Sequence, residues 1–368
     1  MKVIVIGGGP FGLLSSISIK KHHPNSDVLL LEMQKDIGSR IKVSANGRCN
    51  FINKNLCEHK YSSLFVKEFL KYQTEVLNLF EEEGFLYYFD EEGRGYPTSE
   101  SSLTFISLLK DLLNKYKVDI KTSYQVNNIE KRDQEYLVNN ELRCDRLVIG
   151  IGGISYQNER LNYNRIISSL NVNVTKLTPS LTPLSVSNFP RELENKRVKC
   201  EVSLLYKNSI LKKEKGEVLF KKDGLSGIVI FNMSSYLARL HLEKFDSYQI
   251  SLNLLPNVSD QKLKELISKD PSLKHIFIDS LADYILTFND IGKTIRDMRF
   301  YIRGIYDFKN SQVTSGGIDL KEISPSLNLK NDSNIYVGGE MIDIDGECGG
   351  YNIGYCLLAG YSIGKVIR

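Results

Sequence analysis

Lys2-Val3-Ile4-Val5-Ile6-Gly7-Gly8-Gly9-Pro10-Phe11-Gly12 opens the chain, and a second apolar run, Val28-Leu29-Leu30-Leu31, ends on Glu32. The order is strand, glycine turn, small-residue helix to about Lys21, strand and acid, which is the order of a dinucleotide-binding unit. Gly7 permits the tight turn out of the strand. Gly9 lets backbone approach a pyrophosphate, and Gly12 lets the helix pack close on the strand. Pro10 and Phe11 complete the turn, whose helix N-terminus offers unpaired N–H groups and partial positive charge to phosphates. Glu32, with Met33 beside it, stands where a carboxylate accepts the ribose hydroxyls of an adenosine.

The remaining composition narrows the class. The chain has 368 residues, 42% hydrophobic and 25% charged, which suits a soluble globular protein of two domains or one with an insertion. No apolar run approaches the roughly 20 residues of a membrane helix. A net charge of +4 with scattered lysines favours a solvated surface over a nucleic-acid footprint. Six cysteines show no C-x-x-C pair and no metal-ligand spacing. No signal segment fits before the first strand, so a reducing cytoplasm is the expected compartment.

Strand and helix patterns alternate to about residue 150, where Gly150-Ile151-Gly152-Gly153 forms a second glycine turn after a buried strand. Residues 197–255 then read as β-rich, with 227–231 among the strands, and 260–306 as helical. Such a block does not continue an α/β alternation. It is expected to be an insertion over 181–311, leaving 1–180 and 312–368 as one discontinuous nucleotide-binding domain. The tail returns to the first style. Ile335-Tyr336-Val337 runs into Gly338-Gly339-Glu340, and a glycine loop ending at Gly350 precedes a closing helix that begins at Tyr351-Asn352.

Three distant segments thus suit one cofactor. The opening turn takes the adenosine diphosphate. Arg40, in Gly38-Ser39-Arg40, supplies a cation for the pyrophosphate, with Lys42 nearby for phosphate or flavin. Glu340, at a strand's carboxyl end, suits a polyol such as ribityl, and the helix after Gly350 turns its positive end to the ring of a flavin. Nicotinamide needs neither of these last two features, so the residues favour FAD. No second G-x-G-x-x-G unit exists to hold NAD(P)H permanently, so either a nicotinamide docks transiently on the flavin face or the substrate itself reduces the flavin and oxygen reoxidises it.

The chain resembles the bacterial FAD-binding flavoproteins of the BaiN/YhiN type, also called the aminoacetone oxidase family. Gly38-Ser39-Arg40-Ile41-Lys42-Val43-Ser44-Ala45-Asn46-Gly47-Arg48-Cys49-Asn50 is similar to its G-R-K-x-x-x-S-G-x-G-R-C-N. Gly93-Arg94-Gly95-Tyr96-Pro97, Gly224-Leu225-Ser226-Gly227 and Thr314-Ser315-Gly316-Gly317-Ile318 resemble further motifs, as do Gly339-Glu340-Met341-Ile342-Asp343-Ile344-Asp345-Gly346 and Gly349-Gly350-Tyr351-Asn352. The resemblance implies a glutathione-reductase-like, Rossmann-type FAD domain of the α/β class with an inserted β-barrel plus helical domain, the insert shaping the substrate pocket. It adds Asn46, Arg48, Cys49, Gly152, Gly153 and Asn352 to the cofactor residues. It also implies an FAD-dependent oxidoreductase acting on a small molecule, with NAD(P)H-dependent reductases and an amine oxidase both among the proposed members. Residues 154–163 depart from the family's glycine-rich continuation, so its substrates do not carry over. A transfer-RNA-modifying flavoprotein is the reading of another class. Cys49 and Cys57 lie too far apart in sequence for a flavin-linked disulfide, no metal site is expected, and the five histidines offer no convincing acid or base.

Overall fold

The computed structural model describes residues 1–155 and 160–368. These divide into two compact units, Met1–Leu177 with Val313–Arg368, and Thr178–Gln312. Positions 156–159 of the altered loop lie outside the described residues.

The first unit is built on a five-stranded parallel sheet. Its strands are β1 (Lys2–Ile6), β2 (Asp27–Leu31), β3 (Asp119–Lys121), β4 (Arg146–Ile149) and β5 (Ile335–Val337), in the spatial order β5-β4-β1-β2-β3. Val3, Ile4, Val5 and Ile6 are all buried, as a strand covered on both faces requires. The register Ile6↔Ile149 and Ile6↔Leu31 brings the carboxyl ends of three strands level, and Ile149↔Val337 adds the fourth. Open parallel sheets bind ligands along that edge.

Helix α1 (Pro10–His22) is buried at every position from Phe11 to Ile19, so it has no solvent face in its first two turns. It packs against α3 (Tyr351–Val366), the closing helix, while α2 (Ser102–Lys115) is a separate amphipathic helix with Phe105, Leu109 and Leu112 buried. Glycine makes the α1–α3 approach possible. A Cβ on Gly360 would stand 2.4 Å from the Phe11 carbonyl oxygen, and one on Gly364 would stand 2.3 Å from that of Ser18. The Ser18 hydroxyl donates to the Tyr361 carbonyl at 2.5 Å across the same seam. The fold is therefore an α/β Rossmann unit whose last helix is locked onto its first.

The second unit contains a closed six-stranded antiparallel barrel. Its order is Leu184–Val186, Gly224–Ser226, Ser209–Lys221, Arg197–Tyr206, Tyr248–Asn253 and Met298–Ile305, which pairs back to the first. Val202, Leu204, Val218, Phe220, Ile250 and Phe300 fill its interior. Helices Asp260–Lys269, Asp279–Ile285 and Ile291–Arg296 belong to the same unit.

Two elements differ from the sequence expectation. Residues 227–231 are not a strand but the start of the helix Ile228–Arg239. The β-branched run Ile228-Val229-Ile230 favours a strand locally, yet Val229, Met233 and Leu237 bury one helical face, and that packing decides. Nor is 260–306 helical throughout, because Met298–Ile305 is the strand that closes the barrel. Met298, Phe300 and Ile302 are buried while Arg299, Tyr301 and Arg303 are exposed, a period of two hidden behind three preceding helices.

Overpacking the helix seam tests this account. Gly364→Val should destabilise the protein by about 1–3 kcal/mol, read from denaturant midpoints, because the new side chain meets backbone that cannot turn away.

Candidate functional site

The carboxyl edge of the sheet is shaped by close backbone contacts. Gly7 has φ +107°, and a Cβ there would lie 2.4 Å from the Gly150 carbonyl oxygen; one on Gly12 would lie 2.0 Å from the Gly7 oxygen. Turn, helix and the loop after β4 thus meet with no room for a side chain. Around Gly9 the opposite holds, since a Cβ there would find nothing within 4 Å. Gly9 caps α1 without a side-chain hydrogen bond and no acid stands in the first turn, so the N–H groups face open space. The geometry fits an anion such as a pyrophosphate.

Glu32 is 9% exposed and ties this turn to β2. Its carboxylate accepts from the Gly8 N–H at 2.6 Å and from the Gln34 N–H at 2.7 Å. Burial raises the carboxyl above the usual range, and the N–H donors of Gln34 and Gly8 oppose that rise. Phe11 is placed differently from its neighbours. Its ring is 2% exposed and fills the space over Gly150 and Gly338, where an added Cβ would meet it at 2.4 and 2.3 Å, so its side chain is a packing element. Met33 is partly buried and its sulfur accepts from the Asn162 amide at 3.9 Å.

A second cluster forms where β4 and β5 end. The Glu340 carboxylate accepts from the Thr314 N–H at 2.7 Å, and a Cβ on Gly153 would stand 2.4 Å from the same oxygen. The Thr314 hydroxyl accepts from the Ile154 N–H at 2.9 Å and lies 3.0 Å from the Ser155 hydroxyl. Arg40 donates to the Ser155 carbonyl, and its charge reaches Glu340. Burial raises the Glu340 carboxyl, with Arg40 and the Thr314 donors pulling the other way. Tyr163, 4% exposed, donates to the Met341 carbonyl at 3.4 Å, and burial followed by the charges of Glu340 and Asp343 pushes its phenol up. Gly152, with φ +75°, is open around its Cβ position, like Gly9.

The third cluster joins the loop of residues 44–50 to the start of α3. Ala45, Asn46, Gly47 and Cys49 all have positive φ, a strained run of the kind found at ligand clamps. Asn50 accepts from the Gly350 N–H at 3.1 Å and donates to the Ile52 carbonyl at 3.1 Å. A Cβ on Gly350, φ +89°, would sit 2.4 Å from the Ile52 oxygen. The Asn53 amide donates to the Gly349 carbonyl at 2.8 Å. Asn352 spends its amide on its own loop, accepting from the Gly346 N–H at 2.8 Å and donating to the carbonyls of Gly346 and Glu347. Tyr351 is 7% exposed, and its carbonyl accepts from Tyr61 at 3.0 Å. As at Gly9, α3 begins with no side-chain cap and no acid in its first turn.

Lys42, in the short helix Ser39–Val43, and Asn46, in this loop, are both exposed. Arg48 is exposed too, its guanidinium 4.9 Å over the Tyr96 ring and 4.0 Å from Glu100, which makes it a brace for the loop. The Cys49 thiol is fully buried, and burial pushes it up to about 12, so it stays protonated and unreactive at neutral pH. All six cysteines are free, and the described residues hold no cluster fit for a metal. No helix among them is long and apolar enough to cross a membrane.

Gly7, Gly9, Pro10, Gly12 and Glu32 are thus brought to one turn, and Arg40, Gly153, Gly339 and Glu340 to one cluster. Sequence reading alone left out Thr314, Ser155 and Tyr163. Thr314 stood within a quoted motif, but its linking of Glu340 to residues 154–155 is a contact across 160 positions.

The HI0933-like protein Rossmann domain matches residues 1–366. The chain belongs to the HI0933-like family. It is therefore an FAD-binding Rossmann protein of an FAD-dependent oxidoreductase family. It is 24% identical to the 3-dehydro-bile acid delta(4,6)-reductase of Clostridium scindens, over 99% of this chain and 98% of that one. It is also 24% identical to the ribosomal RNA dihydrouridine synthase of Haemophilus influenzae, over 98% and 96%. A solved quinol-fumarate reductase with menaquinol molecules shares the fold, with TM-score 0.51 and 12% identity over 99% of this chain and 70% of that one.

Two outcomes check the site. A glutamate whose folded value is raised binds its proton more tightly folded than unfolded, so its contribution to stability falls as pH climbs from the usual glutamate range to the raised value. In the apoprotein, Glu340→Gln should remove that decline, so the denaturation midpoint of the variant gains on the parent as pH climbs above the usual glutamate range. Thr314→Val, which orphans the Ile154 N–H, should lower stability by about 1–3 kcal/mol and weaken FAD retention measured by flavin fluorescence.

Proposed function

We propose that this protein is an FAD-dependent reductase that passes hydride from NAD(P)H, by way of the flavin, to a carbon–carbon double bond conjugated with a carbonyl. FAD when bound supplies the two-electron chemistry, and the protein supplies binding, orientation and electrostatic tuning. The N-terminus of α1 holds the pyrophosphate, with Gly9 giving it room. Glu32 takes the adenosine ribose hydroxyls while bracing Gly8. Arg40 adds a positive charge for the phosphates, and Glu340, fixed by Thr314, accepts from the ribityl chain. The uncapped N-terminus of α3 favours negative charge where it points.

The observation that carries the reaction class is the full-length likeness to two relatives whose names describe the same chemistry. A delta(4,6)-reductase of a 3-oxo steroid and a dihydrouridine synthase both saturate an alkene conjugated to a carbonyl. Such an alkene accepts hydride at its far carbon because the carbonyl draws off the charge. NAD(P)H is proposed as a transient visitor, since the loop at Gly150–Gly153 lacks the glycine spacing and the acid of a second nucleotide site.

Anaerobic mixing of the yellow holoprotein with NADH and then NADPH tests the reading. Bleaching of the flavin absorbance by either, reversed on adding a 3-oxo-4,6-diene steroid or uridine, is the expected result. Bleaching by a primary amine but by neither nicotinamide, with recovery only in air, would replace the reductase with an oxidase.

A further inference from the structure

Arg48 is held firmly, yet its hydrogen-bonding capacity is not engaged. Its guanidinium lies 4.9 Å over the Tyr96 ring. Tyr96 is 3% exposed, so that ring is a fixed platform, and its cross-strand partner Tyr88 tilts against it at 5.8 Å. Stacking fixes a guanidinium through its face and leaves the N–H donors on its edge open. Those donors make no hydrogen bond among the described residues, and the Arg48 side chain keeps 49% of its surface in solvent. Glu100 stands 4.0 Å away, and its carboxylate already accepts from the Tyr88 hydroxyl.

A second cation belongs to the same stretch. Lys42 is exposed and makes no ion pair among the described residues; its charge reaches Asp36, which Lys110 pairs at 2.8 Å. Between Lys42 and Arg48 the chain folds back on itself. The Arg48 N–H donates to the Ala45 carbonyl and the Cys49 N–H to the Ser44 carbonyl, each at 3.2 Å. Asn46, in the bend, is exposed, and its amide makes no hydrogen bond among the described residues. Positive φ at Ala45, Asn46 and Cys49 costs free energy, and such strain persists mainly where a loop is shaped for a ligand.

An open guanidinium fork, a second cation, a free amide and a solvent-facing ring together suit a phosphorylated purine nucleoside. The fork matches a phosphate with two parallel hydrogen bonds, and Lys42 adds a point charge. Tyr88, 37% exposed, offers ring surface to a base. The phosphates of FAD are accounted for on other segments, at the Gly9 turn and Arg40. Asn50 ties the loop to the Gly350 turn at the start of α3, so this face is continuous with the segment proposed to receive the flavin.

We propose that Arg48, stacked on Tyr96 and assisted by Lys42 and Asn46, is the docking site for the adenosine 2′-phosphate of NADPH, which makes NADPH rather than NADH the reductant. Nicotinamide as the visitor rests on the reductase reading above; the phosphate site itself rests on the open guanidinium and its neighbours. A phosphate held at an exposed edge binds and leaves without any rearrangement of the fold, as a transient donor must.

Isothermal titration of the full-length holoprotein, whose FAD fills the Gly9 turn, reads the site without redox chemistry. Adenosine 2′,5′-bisphosphate should bind at least about tenfold more tightly than adenosine 5′-monophosphate, a margin that salt reduces. Arg48→Gln should abolish the margin. Lys42→Gln, whose side chain has no ion pair to lose in folding, should weaken the bisphosphate by about threefold, and Glu100→Gln should tighten it by about twofold as a repelling charge goes. In anaerobic stopped flow, the ratio of NADH to NADPH concentrations giving half-maximal flavin bleaching should fall about tenfold in Arg48→Gln. Equal affinity of the parent for the two nucleotides would overturn the proposal, as would parental affinity for the bisphosphate in both Arg48→Gln and Lys42→Gln. A parent that bleaches with NADPH but shows no margin between the nucleotides loses this site and keeps the reductase reading. One that shows the margin through Arg48 but bleaches with neither nicotinamide loses the reductase reading and, with it, NADPH as the occupant of the phosphate site.

Discussion

Everything in the nucleotide-binding unit depends on a backbone crossing at Gly7. There the first strand turns so sharply that the Gly7 carbonyl sits under Gly12 of α1, while its own α-carbon faces the carbonyl of Gly150. Any side chain at these positions would push apart α1, β1 and the loop after β4. With the side chains absent, α1 sinks into the unit, buried from Phe11 to Ile19, and its uncapped N-terminus is left as the polar end of an apolar rod. A helix end held this way must find an anion or water for its N–H groups. The steric requirement and the binding capacity therefore have one origin.

The other site segments are arranged around that crossing by packing rather than by sequence proximity. Phe11 turns its ring onto Gly150 and Gly338, which holds the ends of β4 and β5 at a fixed distance from the opening turn. Thr314 then connects Glu340 to residues 154 and 155, and Arg40 donates to the Ser155 carbonyl while its charge reaches Glu340. The loop of residues 44–50 is strained, yet Asn50 and Asn53 secure it to the turn at Gly349 and Gly350. Polar groups buried in such networks are costly if unmatched, so a partly built network would be worse than none.

Much of this is legible in the amino-acid sequence. The opening unit was readable because each of its residue types has a local mechanical reason. Arg40 and Glu340 were readable as charges near glycine turns, where charge is otherwise unusual. The missed features share a cause. Ile228–Arg239 looks like a strand in isolation and becomes a helix because the barrel offers it a helical face to bury against. Met298–Ile305 looks like the end of a helical block, and only the need to pair with Leu184–Val186 and Tyr248–Asn253 makes it a strand. Phe11 and Asn352 lie inside site motifs, but their side chains pack and brace.

The sequence alone determined the Rossmann unit, the flavin class of its ligand and the segments that would build the site, because those depend on glycine, charge and periodicity over short spans. Tertiary structure decided which residues touch. It made Thr314 the link between distant loops, gave Arg48 to Tyr96 and kept Cys49 inert by burial. The physical reason is that hydrogen bonds, burial and ion pairing act over a few ångströms in space, and those few ångströms join residues that lie hundreds of positions apart in the chain.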